Sequence, residues 1–139
     1  MSAPAAGPAA NKLLNIALWL AQLLLALLFG SAGLMKASLP VAELAAKLPW
    51  ATALPELLLR FIGSCELLGA AGLILPSITR IKPQLTPLAA IGLAVIMLLA
   101  SAFHLARGEG ALAPGLLAIA GIALIVAWGR GRRLPITPR

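Results

Sequence analysis

Polar residues are rare along this chain, and they divide it into four long apolar runs. A helix needs about 20 consecutive apolar residues to cross the hydrocarbon core of a bilayer. The runs approach or reach that length, so the pattern predicts an all-α polytopic membrane protein folded as a four-helix bundle. The predicted spans are residues 13–34, 56–75, 88–104 and 112–128, and Pro76 is expected to end the second.

The segments outside the runs complete the predicted organisation. Residues 1–11 are rich in Ala, Pro and Gly and predict a disordered N-terminal tail. Residues 12–129 form the bundle, and residues 130–139 form a basic cytoplasmic tail. A cleaved signal peptide is the alternative interpretation of the first run, although the run is longer than the apolar core of such signals.

The first connection has a helical pattern of its own. Val41, Leu44 and Leu48 recur at helical spacing over fewer than three turns, which is too short to span a membrane. We therefore predict a short interfacial helix in the first outer loop. Trp50 suits the same membrane interface.

Composition and charge support this assignment. The chain is 61% hydrophobic and 11% charged, with a mean hydropathy of +1.02, whereas soluble domains carry about 25% charged residues. The net charge of +7 comes from basic residues at the ends of the apolar runs, so nucleic-acid binding is not expected. One side carries seven basic residues and no acid, and the other carries four basic and three acidic residues. This asymmetry predicts a multi-pass membrane protein with both termini in the cytoplasm.

One carboxyl group lies in the middle of a predicted span. Glu66 at that depth costs about 2.5–3.5 kcal/mol on insertion scales, so it should face a partner inside the bundle. Lys36, Arg60 and His104 end or begin spans on the same side, and either Lys36 or His104 could supply the cation. We predict a pocket that narrows to Glu66, formed by a functional polar cluster of Lys36, Arg60, Glu66 and His104. Close helix packing is expected at Gly30, Gly33, Gly63, Gly69 and Gly72.

Simpler interpretations of these residues stay open. Lys36, Arg60 and His104 could anchor at lipid headgroups, and Glu66 could serve only as an interhelical hydrogen bond. Asn15 and Gln22 share a helix stripe with Lys36, which fits either packing hydrogen bonds or a hydrated pathway. We predict no catalytic residue and no metal site. The chain has one histidine and one cysteine, so it lacks both a zinc ligand set and a redox dithiol.

Four segments together resemble the DoxX-like family of small bacterial membrane proteins. They are GSAGLMK at 30–36, IGSCELLGAAGLILP at 62–76, LTPLAAIG at 85–92 and ASAFH at 100–104. Lys36, Glu66 and His104 match the polar positions of that pattern. The resemblance implies a four-helix membrane bundle and a loose association with redox physiology, since founding members are subunits of a thiosulfate:quinone oxidoreductase. No flavin, iron–sulfur or dithiol motif is recognisable, so catalysis is not carried over and no cofactor is assigned.

The expected function is that of a small subunit or accessory factor in membrane redox physiology. Its pocket around Glu66 would face outward and bind a quinone-like or other small amphipathic ligand. A proton-coupled transporter and a purely structural or assembly partner are the alternatives. Membrane lipid is an expected partner, and redox-complex subunits and a homo-oligomer are further candidates.

Overall fold

The computed structural model describes residues 7–139, and within them the chain is helical with no strand. Four of its helical segments are long and apolar enough to cross a membrane, which confirms the predicted fold class. The helices are α1 (Pro8–Ser38), α2 (Val41–Lys47), α3 (Glu56–Thr79), α4 (Leu85–Ala106) and α5 (Ala113–Trp128). Two 3₁₀ turns, Pro49–Ala53 and Gly110–Leu112, and a π-helical segment, Gly129–Arg133, complete the set.

The four long helices pack as a ring around one apolar core. The chief pairings are α1 with α3, α3 with α4 and α4 with α5, and α5 returns to α1. Buried side chains such as Leu25, Phe29, Leu73 and Leu93 fill the middle. Many other leucines are exposed on the outside of the ring, as expected of helices that face hydrocarbon.

The short helix predicted in the first loop is present as α2. Leu44 and Ala51 are fully buried against Leu59 of α3, and Met35 and Trp50 pack around them. This small second core fixes the loop across one end of the bundle. Trp50 is thereby held over the space between α1 and α4.

The N-terminal boundary differs from the prediction. Residues 1–6 of the predicted tail lie outside the described residues, but residues 8–11 form the first turn of α1. Pro8 occupies the first helical position, where its fixed φ suits the helix and its missing N–H costs no hydrogen bond. The span therefore begins earlier than the apolar pattern indicates.

The prediction that Pro76 ends the second span is wrong, because α3 continues to Thr79. A proline removes one hydrogen bond from a helix interior, and membrane helices tolerate this where neighbouring side chains satisfy the backbone. Here Gln22 Nε2 donates to the Leu73 carbonyl at 2.6 Å, next to the Gly72 carbonyl for which Pro76 supplies no helical donor. The helix ends instead at Arg80, which adopts a left-handed conformation with φ 60°.

The fourth span continues past Trp128 into the π-helical segment. Gly129, the first residue of this extension, packs against the Leu18 side chain, which would lie 2.5 Å from a Cβ at this position. Arg130, which the prediction placed in the basic tail, is only 4% exposed. Arg130 thus belongs structurally to the bundle, whereas residues 131–133 of the same segment are exposed.

Candidate functional site

A buried ion pair joins α1 to α3. Lys36 Nζ lies 2.8 Å from both carboxylate oxygens of Glu66, and the two residues are 7% and 1% exposed. Lys36 is in the last turn of α1, and Glu66 is near the middle of α3. Of the two cations predicted for Glu66, Lys36 is therefore the one in contact.

Two glycines bring the helices close enough for this contact. A Cβ on Gly33 would lie 2.7 Å from the Gly63 carbonyl oxygen, and a Cβ on Gly63 would lie 2.7 Å from Lys36 Cβ and 2.9 Å from the Ala37 nitrogen. Most of these neighbouring atoms belong to backbone or to Cβ groups, which cannot rotate away. The α1–α3 crossing therefore requires glycine at both positions.

The remaining predicted packing glycines differ among themselves. Gly72 faces Ala89 Cβ at 2.7 Å, so α4 approaches closely there. Gly69 faces only the flexible Leu93 side chain, and Gly30 has ordinary clearance from Ala70. Among these five glycines, only Gly33 and Gly63, beside the Lys36–Glu66 pair, bring the added Cβ against backbone atoms of the facing helix.

Arg60 lies behind this pair. Its Nη1 donates to the Lys36 carbonyl at 2.8 Å, and its Nη2 binds Glu56 Oε1 at 3.0 Å. It thereby satisfies one of the free carbonyls at the C-terminal end of α1. Arg60 positions the end of α1 and does not form part of the cavity wall described below.

His104 has a different partner from the one predicted. Its Nδ1 lies 2.6 Å from Glu109 Oε2, and the residue is 5% exposed. Arg107 donates to the other oxygen of Glu109 at 3.1 and 3.2 Å. Hydrogen bonds from Arg107 and then His104 hold the pKa of Glu109 below its ordinary value.

Sequence reasoning overlooked two residues of this site. Glu109 lies in a turn that Gly108 reverses at φ 76°, so an acid five residues after His104 returns to it. Trp50, assigned only to the interface, has its ring 5.8 Å from Lys36 Nζ and 5.6 Å from the His104 ring. The Phe103 ring lies 6.1 Å from the Trp50 ring and completes this aromatic group. We call Lys36, Trp50, Glu66 and His104 the Lys36 cluster.

A cavity of about 1160 Å³ adjoins the Lys36 cluster. It runs along α3 from Leu58 to Gly72, a length of roughly 21 Å at 1.5 Å per residue. It lies between α3 and α4, and Leu116 and Ile119 of α5 also line it. Its walls are almost entirely apolar, and all four members of the Lys36 cluster line it. Exposed side chains of both helices, including Phe61, Leu68, Leu88 and Leu99, form its rim, so it opens sideways between the helices.

A second buried polar group lies toward the other end of the bundle. Arg130 Nε donates to Gln22 Oε1 at 2.6 Å, and Nη1 donates to Asn15 Oδ1 at 2.7 Å. Gln22 Nε2 also donates to Ser77 Oγ at 3.1 Å, and Ser77 shares a hydrogen bond with Thr86. We call Asn15, Gln22, Ser77, Thr86 and Arg130 the Arg130 cluster.

An apolar layer separates the two clusters. Glu66 and Leu73 are seven residues apart on α3, which is about 10 Å along the helix. Leu25, Phe29 and Ala70 fill the intervening core with buried hydrocarbon. The polar stripe of α1 therefore contributes to two distinct sites and does not form a continuous polar path.

The site contains no recognisable metal-ligand set. Across residues 7–139, no group of three or more His, Cys, Asp or Glu side chains is arranged to hold an ion. Cys65 is free and lines the cavity beside Glu66. The cluster can offer a ligand an ion pair, an imidazole and an indole within a hydrocarbon wall.

Comparison with known proteins gives one family. The model of the DoxX-like family matches residues 20–130, which cover α3, α4 and α5 in full and α1 from residue 20 onward. No curated protein and no solved structure matches the chain.

Proposed function

Since the chain belongs to the DoxX-like family, we propose that it is a membrane-embedded binding protein for a quinone-like or other small amphipathic ligand. The ligand occupies the cavity between α3 and α4. The observation that carries this proposal is a buried Lys36–Glu66 ion pair in the wall of an otherwise apolar space of about 1160 Å³. Ligand sites generally combine such an apolar lining with a few polar groups that fix orientation.

The cavity's shape suggests how an amphipath would lie. Its polar head contacts Lys36 and Glu66 beneath Trp50, and its hydrocarbon tail follows the groove toward Gly72. Moving one methylene of the tail from water into the cavity contributes about 0.8 kcal/mol to binding. The contribution is smaller when the tail moves into the cavity from lipid, because lipid is already apolar. The polar contacts therefore supply selectivity, and the sideways opening lets the tail arrive from the bilayer.

We further propose that the protein serves as a small subunit or accessory factor in redox physiology of the bacterial inner membrane. Both termini are cytoplasmic, which places the Lys36 cluster toward the outer face. The distribution of basic residues supports this orientation. Redox-complex subunits are the proposed protein partners, on the strength of the family resemblance.

The alternatives predict different internal structures. A proton-coupled transporter needs access to its carboxyl from both sides, whereas an apolar layer separates Glu66 from the Arg130 cluster. A purely structural role needs the ion pair but has no need for the adjoining cavity. The geometry therefore favours ligand binding over both.

The test uses the purified protein in lipid nanodiscs with a decyl-substituted benzoquinone as probe. Wild type should bind the probe, and organic extracts of protein purified in mild detergent should contain a retained amphipath by mass spectrometry. Glu66→Gln should weaken binding roughly 10- to 100-fold, the value of a hydrogen bond to a charged group. Glu43→Gln, which removes the same charge from an exposed carboxyl, should bind as wild type does.

A double variant separates loss of folding from loss of binding. Lys36→Met/Glu66→Met removes both charges and leaves no unpaired ion, so the bundle should remain folded. It should retain neither probe nor natural amphipath. Wild-type binding by a folded double variant would overturn the proposed site.

A further inference from the structure

His104 has one ring nitrogen that the fold does not use. Its Nδ1 binds Glu109, whereas Nε2 makes no hydrogen bond within residues 7–139. In that part of the chain, Arg130 Nη2 is the one side-chain polar atom that is both enclosed and without a partner, so Nε2 is not sealed off. His104 lines the cavity and is 5% exposed. A buried histidine thus keeps an available hydrogen-bonding atom at the cavity.

The partner of Nδ1 determines what Nε2 can do. Arg107 holds one Glu109 oxygen, and the lowered pKa of Glu109 keeps the carboxylate ionised near neutral pH. An ionised carboxylate only accepts hydrogen bonds, so Nδ1 carries the proton that it receives. In the neutral imidazole, Nε2 is then the acceptor.

We propose that His104 Nε2 accepts a hydrogen bond from a hydroxyl group on the cavity ligand, with Glu109 as the positioning residue. The favoured ligand head therefore carries an alcohol or phenol O–H, as the reduced form of a quinone-like ligand does. This inference rests on the proposed function and narrows its ligand class. Trp50, whose ring lies within 6 Å of both Lys36 Nζ and the His104 ring, would contact the head from one side.

The charges around the cavity indicate that this head is neutral. Lys36 and Glu66 neutralise each other, with both carboxylate oxygens on the ammonium. Arg60 is engaged by Glu56 and by the Lys36 carbonyl, behind the cavity wall. An anionic or cationic head would find no unpaired counter-charge in the wall and would be desolvated without compensation.

The experiment compares three neutral probes in nanodiscs: 4-nonylphenol, its methyl ether 4-nonylanisole, and 1-dodecanol. Binding is corrected for partition into empty nanodiscs. Wild type should prefer the phenol to the ether by roughly 3- to 10-fold, the worth of one neutral hydrogen bond. His104→Phe keeps an aromatic ring and should abolish that preference while still binding the ether.

Glu109→Gln tests the positioning role. A glutamine amide can donate to Nδ1, which would move the ring proton to Nε2 and remove the acceptor. The phenol preference should therefore shrink, whereas Glu43→Gln should leave it unchanged. If Glu109 were merely structural, Glu109→Gln would weaken the binding of the phenol and of the ether equally, and the ratio of the two affinities would stay as in wild type.

The outcomes distinguish this inference from the function on which it rests. Equal binding of phenol and ether by wild type would overturn the hydroxyl assignment and leave the amphipath site standing. Failure of all three probes and of the benzoquinone would overturn both. Binding of 1-dodecanol that depends on His104 would assign aliphatic alcohols, and binding of the phenol alone would assign phenols.

Discussion

The Lys36 cluster and the Arg130 cluster are both buried polar groups in the same bundle, and they differ in what surrounds them. Lys36 and Glu66 form an ion pair beside a cavity of about 1160 Å³. Within residues 7–139, Arg130 has no carboxylate partner and is held by the side-chain amide oxygens of Gln22 and Asn15. It is also stacked against Trp19, with its guanidinium 5.3 Å from the ring.

The difference shows that a buried charge alone does not mark a binding site. The Arg130 cluster links α1, α3 and α4 to the segment after α5 through protein hydrogen bonds. Its parts hold the bundle together, and four of its five residues contribute uncharged oxygens or amides. The Lys36 cluster, by contrast, borders space that the protein does not fill. Space beside the charge is what favours a ligand at one cluster and a structural role at the other.

The largest expected loss of stability comes from removing the cation of the Lys36–Glu66 ion pair. Lys36→Met leaves the Glu66 carboxylate deep in the bundle without its cation, which costs about 3–5 kcal/mol for buried pairs in general. Glu66→Gln should cost less, because the long Lys36 stem can carry its ammonium toward the end of α1. Denaturation in mixed detergent micelles measures both.

The double variant Lys36→Met/Glu66→Met makes this comparison sharper. It should recover most of the stability that Lys36→Met loses, because no unpaired charge remains. Lys47→Met, at an exposed position in α2, is the matched control and should change stability by less than about 0.5 kcal/mol. Equal losses in Lys36→Met and the control would show that the pair does not matter to the fold.

The fold and the central contact of the site were accessible from sequence for a physical reason. Apolar length predicts the spans, and a carboxyl in mid-span demands a partner, which limited the choice to Lys36 or His104. Choosing between them required the α1–α3 crossing, which depends on the absence of side chains at Gly33 and Gly63. Sequence predicts that glycines allow close packing but not which helices meet there.

The residues that sequence reasoning missed share another property. Arg130 lies in a basic run that resembles a solvated tail, and its burial depends on the π-helical continuation past Trp128. Glu109 and Trp50 lie in loops whose paths are set by Gly108 and by the packing of α2. Loop geometry decides which polar ends of the bundle meet, and local sequence patterns carry little of that information. Asn15 and Gln22 were the available signal for Arg130, since their stripe indicated a polar partner inside the bundle.

The next largest loss of stability is expected from Gly33→Ala, which tests whether the Lys36 cluster depends on the close crossing of α1 and α3. Gly33→Ala places a Cβ 2.7 Å from the Gly63 carbonyl oxygen, so α1 and α3 must separate. We expect a loss of about 1–3 kcal/mol, as for other overpacked sites, together with weaker probe binding. Gly121→Ala is the control, because a Cβ at that position meets nothing within 4 Å and Gly121 does not line the cavity. If Gly33→Ala behaved like Gly121→Ala, the close crossing would not be needed to form the pair.

A smaller effect should separate the two clusters by function. Arg130→Met leaves Gln22 Oε1 and Asn15 Oδ1 without their donor, and we expect a loss of about 1–2 kcal/mol. Binding of the decyl benzoquinone should be unchanged, because the apolar layer separates Arg130 from the Lys36 cluster, where the polar head of the ligand binds. Arg132→Met, at an exposed neighbouring position, is the matched control for charge. A loss of probe binding in Arg130→Met at intact stability would erase the distinction between the clusters.

The smallest effect concerns pH at the loop that holds His104. The folded-state pKa of Glu109 is lowered by hydrogen bonds from Arg107 and His104. A carboxyl with a depressed folded pKa stabilises the fold above its ordinary value of about 4.5, and that contribution is lost as pH falls through the lower folded value. The difference in thermal midpoint between wild type and Glu109→Gln should therefore be largest near neutral pH and should vanish in acid.

Glu43→Gln is the control for this measurement, because it removes the same charge from an exposed carboxyl that has no hydrogen bond or ion pair within residues 7–139. Its midpoint at neutral pH should stay closer to that of wild type than the midpoint of Glu109→Gln does. A Glu109→Gln difference that persisted unchanged into acid would mean that packing, and not the ionised carboxylate, holds the loop. The argument that Glu109 fixes the tautomer of His104 would then lose its electrostatic basis, while the Lys36–Glu66 pair, on the other side of Trp50, would be unaffected.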